Sequence, residues 1–234
     1  MKVLFAEPQV QYPNKIQRNG VRAEVGIRLN YALLAGYLRD NSDTEVRIQP
    51  YRFYDFIDKP YSLEQDIADA DIVCVGASTA EAKSARKIFE EAKRQGKITI
   101  AGGIFPTANQ DYLQADYTVV GEGEQTLLEL VQALEKGEDP NVLGLSTTKR
   151  RPAIKNIDAI KPAYDLLPME LYRDHVKGLV YSSRGCVNAC DFCTVSPHWN
   201  RMQRHRSIES VVEELEMYKD LGFNIVNFKD ESLT

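Results

Sequence analysis

The sequence predicts an α/β fold, a doubly wound parallel sheet followed by the first βαβ portion of a second α/β unit. Three observations carry that expectation. Short apolar runs alternate with segments of helical period along most of the first 148 residues, the pattern of βαβ units whose sheet is covered on both faces. Glycines follow two of those runs directly, at Gly102-Gly103 and at Gly121 and Gly123. A strand–helix–strand pattern then returns after residue 176, around a loop that holds three of the chain's four cysteines.

Taken in order, Val3 to Ala6 reads as a buried strand that ends at Glu7-Pro8. Residues 26–39 follow a helical period, with Ile27, Tyr31, Leu34, Ala35 and Leu38 on one face. Glu45 to Pro50 alternates like a second strand, and Ile72 to Val75 forms a short buried one. Ser78 or Thr79 is placed to cap a helix whose Ala82, Ala85, Phe89 and Ala92 face inward before Gly96. Ile98 to Ala101 and Tyr117 to Val120 are the next strands. A helix bearing Leu127, Leu130, Val131 and Leu134 then closes at Gly137, and Val142 to Ser146 suits an edge strand. In such sheets ligands bind at the carboxyl ends of the strands, here the loops at 7–20, 76–79, 102–107 and 121–126. The glycines in two of these loops fit close backbone approach to a ligand and simple tight turns equally well.

The chain has 234 residues, enough for one large domain or two small ones. A hydrophobic share of 43% and a net charge of −5 suit a soluble globular protein and argue against bulk nucleic-acid binding. No apolar run is long enough to span a membrane, and Glu7 and Pro8 interrupt the amino terminus before a signal-peptide core could form. With three of its few cysteines clustered as ligands, the chain fits a reducing cytoplasm, while Cys74 lies in an apolar run as an inert core thiol.

The clustered cysteines are Cys186, Cys190 and Cys193, spaced C-x3-C-x2-C after the apolar run Gly178 to Ser182. Three thiolates on one loop can hold three irons of a [4Fe–4S] cube and leave the fourth open to a ligand. A zinc site wants four nitrogen or sulfur ligands, and His198, the nearest candidate, lies at a spacing that matches no common zinc pattern. Around the cysteines, Tyr181 to Cys193, with Phe192 before the third cysteine, resembles the signature of the radical S-adenosylmethionine (radical SAM) enzymes. That resemblance implies a [4Fe–4S] cluster on Cys186, Cys190 and Cys193, S-adenosylmethionine on the open iron, and an electron donor such as a flavodoxin or ferredoxin. It implies no catalytic side chain that the residues in hand identify, and the substrate is unknown.

Upstream, Ala101-Gly102-Gly103-Ile104-Phe105-Pro106-Thr107 and the run from Ala115 through Gly121-Glu122-Gly123-Glu124 to Leu127 resemble the cobalamin-binding-type domain that precedes many radical SAM barrels. The implied fold is flavodoxin-like, with a pocket for the nucleotide tail of cobalamin. Gly102 and Gly103 match the family's glycine pair beside that tail, and Gly121 and Gly123 belong to its recurring G-E-G-E turn. Ser78 stands where its S-x-L motif falls, although Ala80 replaces the leucine. Carriers of the D-x-H-x-x-G type present a histidine to cobalt, yet residues 1–174 contain none. Two readings stay open: cobalamin without a histidine ligand from this domain, or a domain that has lost the cofactor.

Residues 149–176, punctuated by Pro152, Pro162 and Pro168, read as a linker, and Ile160 to Pro168 resembles the connector between the two parts of this family. The basic cluster Lys149 to Arg151 fits a solvated turn better than an anion contact. Residues 177–234 then read as the start of the radical SAM barrel. Gly178 to Ser182 is its first strand, and the cysteine loop leaves the carboxyl end, where parallel barrels place their chemistry. Arg201, Arg204, His205 and Arg206 suit either contact with an anion or a solvent-facing loop. Ser207 is a good N-cap for a helix with the stripe Ile208, Val211, Val212, Leu215, Tyr218 and Leu221. Ile225 to Phe228 is a second strand. Asp230-Glu231-x-x-Thr resembles the D-D-x-F-T ending of that strand, which implies that Asp230 and Glu231 help hold the amino group of S-adenosylmethionine; frayed acidic residues are the plainer alternative. Because the chain supplies only the first strands of such a barrel, the expectation is an amino-terminal fragment of a longer enzyme. A non-catalytic module that binds a nucleotide-tailed ligand and a cluster is the rival.

Overall fold

The structure is a computed structural model that describes residues 1–10 and 25–232. Residues 11–20 of the first strand-end loop, and the threonine closing the Asp230-Glu231-x-x-Thr motif, lie outside the described residues.

Five strands form one parallel sheet: β1 (Lys2–Ala6), β2 (Glu45–Gln49), β3 (Ile72–Gly76), β4 (Ile98–Gly102) and β5 (Tyr117–Thr118), in the order β2-β1-β3-β4-β5. This is the flavodoxin-like order, with its switch point between β1 and β3. The register is regular: Val3 pairs with Val46 on one side and Ile72 on the other, and Ile72 pairs in turn with Ile98. Central strands are buried on both faces, so they read as continuous apolar runs; Val3, Leu4, Phe5 and Ala6 are at most 1% exposed. One face meets α1 (Leu29–Asp40) through Tyr31, Ala32, Ala35 and Leu38. The other meets helices further along the chain.

Two helices escape the sequence pattern. After β2 come α2 (Tyr51–Phe56) and α3 (Leu63–Ala68), each six residues long and too short to display a helical period. Ser62 caps α3 by accepting from Gln65 N. Next is α4 (Ala82–Arg94), which buries Ala82, Ala85, Phe89 and Ala92 as expected. Its start corrects the expected cap: Glu81, not Ser78 or Thr79, occupies that position, and no side chain caps the helix. The Glu81 carboxylate instead turns back and accepts from Ser78 N at 2.9 Å and Ser78 Oγ at 2.8 Å. After β4 comes α5 (Ile104–Ala108), and α6 (Glu124–Glu135) follows β5 with Leu127, Leu130 and Val131 buried. The expected edge strand at Val142 to Ser146 reduces to one antiparallel bridge between Val119 and Leu145.

The connector is more than a string between two units. Two 3-10 turns (Ile157–Ala159 and Tyr164–Leu166) and α7 (Met169–Arg173) bury Ile157, Ala163, Tyr164, Leu167 and Tyr172, several of which join the same apolar core as β1 and α1. Past it, β6 (Gly178–Val180) leads into a hairpin of β7 (Ser183–Arg184) and, beyond α8 (Val195–His198), β8 (Arg204–His205). Then α9 (Ile208–Asp220) returns the chain to β9 (Val226–Phe228), which pairs parallel to β6 with Gly178 opposite Val226. Ser207 accepts from Ser210 N at 3.2 Å, the expected N-cap. The expected apolar stripe of α9 is met in part: Tyr218 is buried and Val211, Leu215 and Leu221 pack against the core, whereas Ile208 and Val212 are exposed and Ser210 and Glu214 are buried instead. Glu214 is drawn inward because Arg206 and Tyr164 both donate to it, and a buried carboxylate needs such partners. Among the described residues no helix is long and apolar enough to cross a membrane.

Candidate cofactor and cluster site

A cavity of about 370 Å³ opens at the carboxyl ends of β3 and β4. Ser78, Gly102, Gly103, Gly121 and Gly123 all line it, so the five positions separated in sequence converge on one wall. Tyr31 sets the depth of that wall. Its hydroxyl accepts from Gly76 N at 2.8 Å and lies 3.2 Å from both Ala6 O and Gly76 O, tying the ends of β1 and β3 together. Burial pushes its phenol well above the ordinary tyrosine value, so it stays neutral. Two glycines are obligatory here. Gly103 has φ +95° and Gly121 has φ +82°, both in the left-handed region that a side chain disfavours.

A buried charge cluster borders the cavity. Arg28 Nε donates to Glu7 Oε1 at 2.6 Å, and Arg28 Nη2 donates to Glu81. Burial pushes the Glu81 carboxyl up, but Arg28 and Ser78 outweigh it and hold the group below the usual carboxylate range.

The opposite wall comes from outside the five-stranded sheet: Tyr181, Arg184, His198, Trp199 and Glu231. These residues flank the cysteine loop, which begins at Gly185. Gly185 has φ +94°, and a Cβ there would meet Met202 O at 1.9 Å. Only glycine lets the two ends of the loop approach this closely. All three loop cysteines are free thiols, Cys190 exposed and Cys186 and Cys193 half-buried, whereas Cys74 is buried in β3 and burial raises its thiol pKa. Cys186 Sγ accepts from Asn188 Nδ2 at 3.4 Å, and Cys193 N donates to Cys190 O at 3.1 Å. Among the described residues no three histidine, cysteine or acidic side chains are already gathered to hold a metal ion. As a donor set the loop fits an iron–sulfur cluster: three accessible thiols on one short segment, not tied up in disulfides.

The remaining sequence-predicted residues separate. Phe192 is 90% exposed and packs on nothing in the cavity. Asp230 stands at the root of the loop, accepting from Ser182 N at 3.2 Å, Ser182 Oγ at 2.9 Å and Ser183 Oγ at 2.5 Å. Glu231 lines the cavity and accepts from Gly185 N at 3.1 Å and Trp199 Nε1 at 2.9 Å. Both carboxylates therefore brace the cysteine loop, and neither is a frayed end.

Sequence reasoning missed the residues that join the two walls. Glu122 Oε2 accepts from Arg204 Nη1 at 2.9 Å and from Ile154 N at 2.8 Å, and Glu122 Oε1 accepts from Arg184 Nη1 at 3.3 Å. Arg184 also donates to Glu124 Oε1 at 2.7 Å. The Trp199 ring lies 5.9 Å from the Arg184 guanidinium and 5.7 Å from that of Arg204. Arg204 is thus a buried ion-pair partner, while Arg206 packs against α9. His198, which looks like a surface loop residue in the sequence, is 8% exposed, and its Nδ1 is buried with no hydrogen-bond partner. Burial, then the nearby Arg150, bring its pKa down to about 4, so it is a neutral imidazole on the cavity wall. The cavity accordingly has the size to receive part of an organic cofactor: a glycine-lined slot with charged groups at its rim and the buried His198 Nδ1 awaiting a partner.

A doubly wound parallel sheet with a ligand cavity at its carboxyl edge, facing a strand that runs into a three-cysteine loop, defines a two-part cofactor-binding architecture. Comparison with known proteins gives that architecture its family. The B12 binding domain family matches residues 19–131. A protein described as an uncharacterised methyltransferase from Pyrococcus horikoshii is 33% identical over an alignment covering 100% of this chain and 54% of that protein. The anaerobic magnesium-protoporphyrin IX monomethyl ester cyclase of Rubrivivax gelatinosus is 29% identical, covering 97% of this chain and 44% of its own length. Among solved structures, the radical S-adenosylmethionine methyltransferase TsrM from Kitasatospora setae, with cobalamin and a [4Fe–4S] cluster bound, superposes with a TM-score of 0.72 at 20% identity, over 99% of this chain and 48% of that one. The chain thus carries a B12-binding domain and shares the fold of a radical SAM methyltransferase over nearly its whole length. It spans about half the length of these relatives.

Proposed function

We propose that this chain forms the cobalamin- and cluster-binding part of a radical SAM enzyme that carries out cobalamin-assisted methyl transfer. One observation supports this reading above the others. The glycine-lined wall of the B12-binding sheet and the residues flanking the cysteine loop, Arg184, Trp199 and Glu231, enclose the same cavity. A corrinoid held there faces the loop that would carry the cluster, which is what transfer between two cofactors requires.

When bound, the reduced cluster supplies an electron for reductive cleavage of S-adenosylmethionine, and the corrinoid supplies a methyl carrier. The protein's part is to hold and shield. Cys186, Cys190 and Cys193 would ligate the cluster, Gly102, Gly103, Gly121, Gly123 and Ser78 would receive the nucleotide tail, and Tyr181 and Trp199 would exclude water. Asp230 and Glu231 fix the course of the loop through the contacts described above, and a role towards the amino group of S-adenosylmethionine would be added to that one. The B12-binding sheet offers no histidine to cobalt, since the chain's three histidines are His175, His198 and His205. A small electron-transfer protein such as a flavodoxin or ferredoxin would reduce the cluster, in a reducing cytoplasm. The methyl acceptor lies outside what these residues specify.

The test is anaerobic. Reconstituted chain is incubated with hydroxocobalamin, dithionite and S-adenosylmethionine, and 5′-deoxyadenosine and S-adenosylhomocysteine are quantified. Formation of S-adenosylhomocysteine dependent on both cofactors supports methyl transfer, whereas 5′-deoxyadenosine alone favours hydrogen abstraction. Stoichiometric cluster and corrinoid with neither product would leave a non-catalytic binding module.

A further inference from the structure

We propose that Glu122 is a positioning residue that couples occupancy of the cavity to the geometry of the cysteine loop. The inference rests on the functional reading above, with the cavity as a corrinoid site and the loop as a cluster site. All three cysteines lie between β7 and β8, and the last residue pair closing that neck is Arg184 opposite Arg204. Both guanidinium groups donate to one carboxylate, that of Glu122, at 3.3 and 2.9 Å. The side chains of Arg184, Arg204 and Glu122 are 9%, 8% and 7% exposed, so solvent screens these contacts little.

The carrier of that carboxylate is the turn that forms the cavity wall. Glu122 sits between Gly121 and Gly123, both lining the cavity. The turn is held from the far side by Gly121 N donating to Thr107 Oγ1 at 3.2 Å. A ligand that presses on the glycines therefore acts on the backbone of Glu122 directly. Arg204 has little else to hold it. Its Nη1 reaches Ile154 O at 2.6 Å, while its Nε and Nη2 are buried without partners. Leaving that charge without Glu122 is costly in a buried setting, so the hairpin neck must follow the turn. From the neck the contact continues through Trp199, which lies over both arginines and donates to Glu231, the acceptor of Gly185 N immediately before Cys186. The loop root is thus attached to the cavity wall by a short series of buried contacts.

Coupling of this kind is reciprocal: if the bound corrinoid favours the cluster-competent loop, the assembled cluster raises corrinoid affinity by the same factor. The full chain is titrated anaerobically with hydroxocobalamin by absorbance, before and after iron–sulfur reconstitution. The expected result is binding tighter by roughly 5-fold or more in the cluster-loaded protein, the lower end of ordinary coupling. Glu122→Gln keeps the size and an acceptor oxygen but removes the charge. It should take up both groups, with the affinity ratio falling to about one. A purely structural residue would weaken both titrations equally and leave the ratio unchanged, which overturns the proposal. Should Glu122→Gln fail to fold, Arg204→Lys, which keeps the charge without the planar fork, should also shrink the ratio, and an unchanged ratio there overturns it. Wild-type chain that takes up both groups with a ratio of one sinks the coupling alone. Wild-type chain that takes up neither removes the functional reading and the coupling together.

Discussion

Arg184 Nη1 and Glu124 Oε1 lie 2.7 Å apart, with side chains 9% and 5% exposed, so the start of the cysteine hairpin is joined to the start of α6 by a buried ion pair. Glu124 and Glu122 together overcome the desolvation of Arg184 and push its pKa further up. Removing one member of such a pair strands the other. Arg184→Ala should cost about 3–5 kcal/mol, a fall in melting temperature of roughly 10 °C for a chain of this size. Arg184→Met combined with Glu124→Leu should recover much of that loss, because apolar replacement of both partners avoids the stranded charge. Thermal melts of the two variants check this, and equal destabilisation by both would contradict the pair's assignment as buried.

The cysteines divide into two chemical classes. Cys190→Ala removes an exposed thiol from the loop and should abolish uptake of a [4Fe–4S] cluster, measured as iron per chain and as charge-transfer absorbance after reconstitution. Cys74→Ala should leave iron content unchanged, because that thiol is 4% exposed and kept protonated by burial. A zinc-only product after anaerobic purification would redirect the assignment of all three loop cysteines.

The neighbouring glycines of the cavity wall should respond differently to substitution. A Cβ at Gly102 would find Val119 Cβ no nearer than 3.9 Å, and the backbone there is not in the left-handed region. Gly102→Val should therefore fold with little loss while its side chain fills the slot, weakening hydroxocobalamin binding by at least about 10-fold, or ~1.4 kcal/mol. Gly103→Ala places a side chain at φ +95° against Ala77 backbone atoms 3.5 Å away. It should destabilise the fold by roughly 1–2 kcal/mol. Equilibrium dialysis and melts of both variants separate a binding wall from a turn requirement; unimpaired corrinoid binding by folded Gly102→Val would remove the wall.

Periodicity made the sheet and its main helices legible, because buried strands such as Ile72 to Val75 and long amphipathic helices such as α4 announce themselves within a few residues. The six-residue α2 and α3 did not, and the burial of Glu214 on α9 was not foreseen because Arg206 and Tyr164, both outside the helix, draw it inward. The cavity glycines were legible as motif. Its opposite wall and the ion pairs behind it were not, since nothing local marks Arg184, Arg204 or His198 as buried. Each owes its burial to residues from the other part of the chain: Glu122 and Glu124 for the arginines, and Arg150, which donates to the His198 carbonyl. The carboxylates of the G-E-G-E turn gave the one available hint, an acidic pair in a position that buries it and so demands cationic partners.

His198 makes the chain's stability depend on pH over a definable window. Its pKa is about 6.5 when unfolded and about 4 when folded, lowered first by burial and then by Arg150. Between those values the unfolded chain binds the proton and the folded chain does not, so acidification favours unfolding. The contribution is fully present above pH 6.5 and is lost progressively as pH falls towards 4. It amounts to about 3 kcal/mol at most. His198→Asn keeps a polar side chain but cannot take up that proton. Its stability, measured by denaturant unfolding at a series of pH values, should fall less steeply than that of the wild type between pH 6.5 and 4. Bound corrinoid should carry the wild-type fall to still lower pH if Nδ1 gains a partner in the cavity, because a ligand held by the neutral imidazole lowers the folded-state pKa further and widens its gap from the unfolded value. Parallel curves for wild type and His198→Asn would show that the imidazole is accessible to solvent protons, and would move it out of the cavity wall.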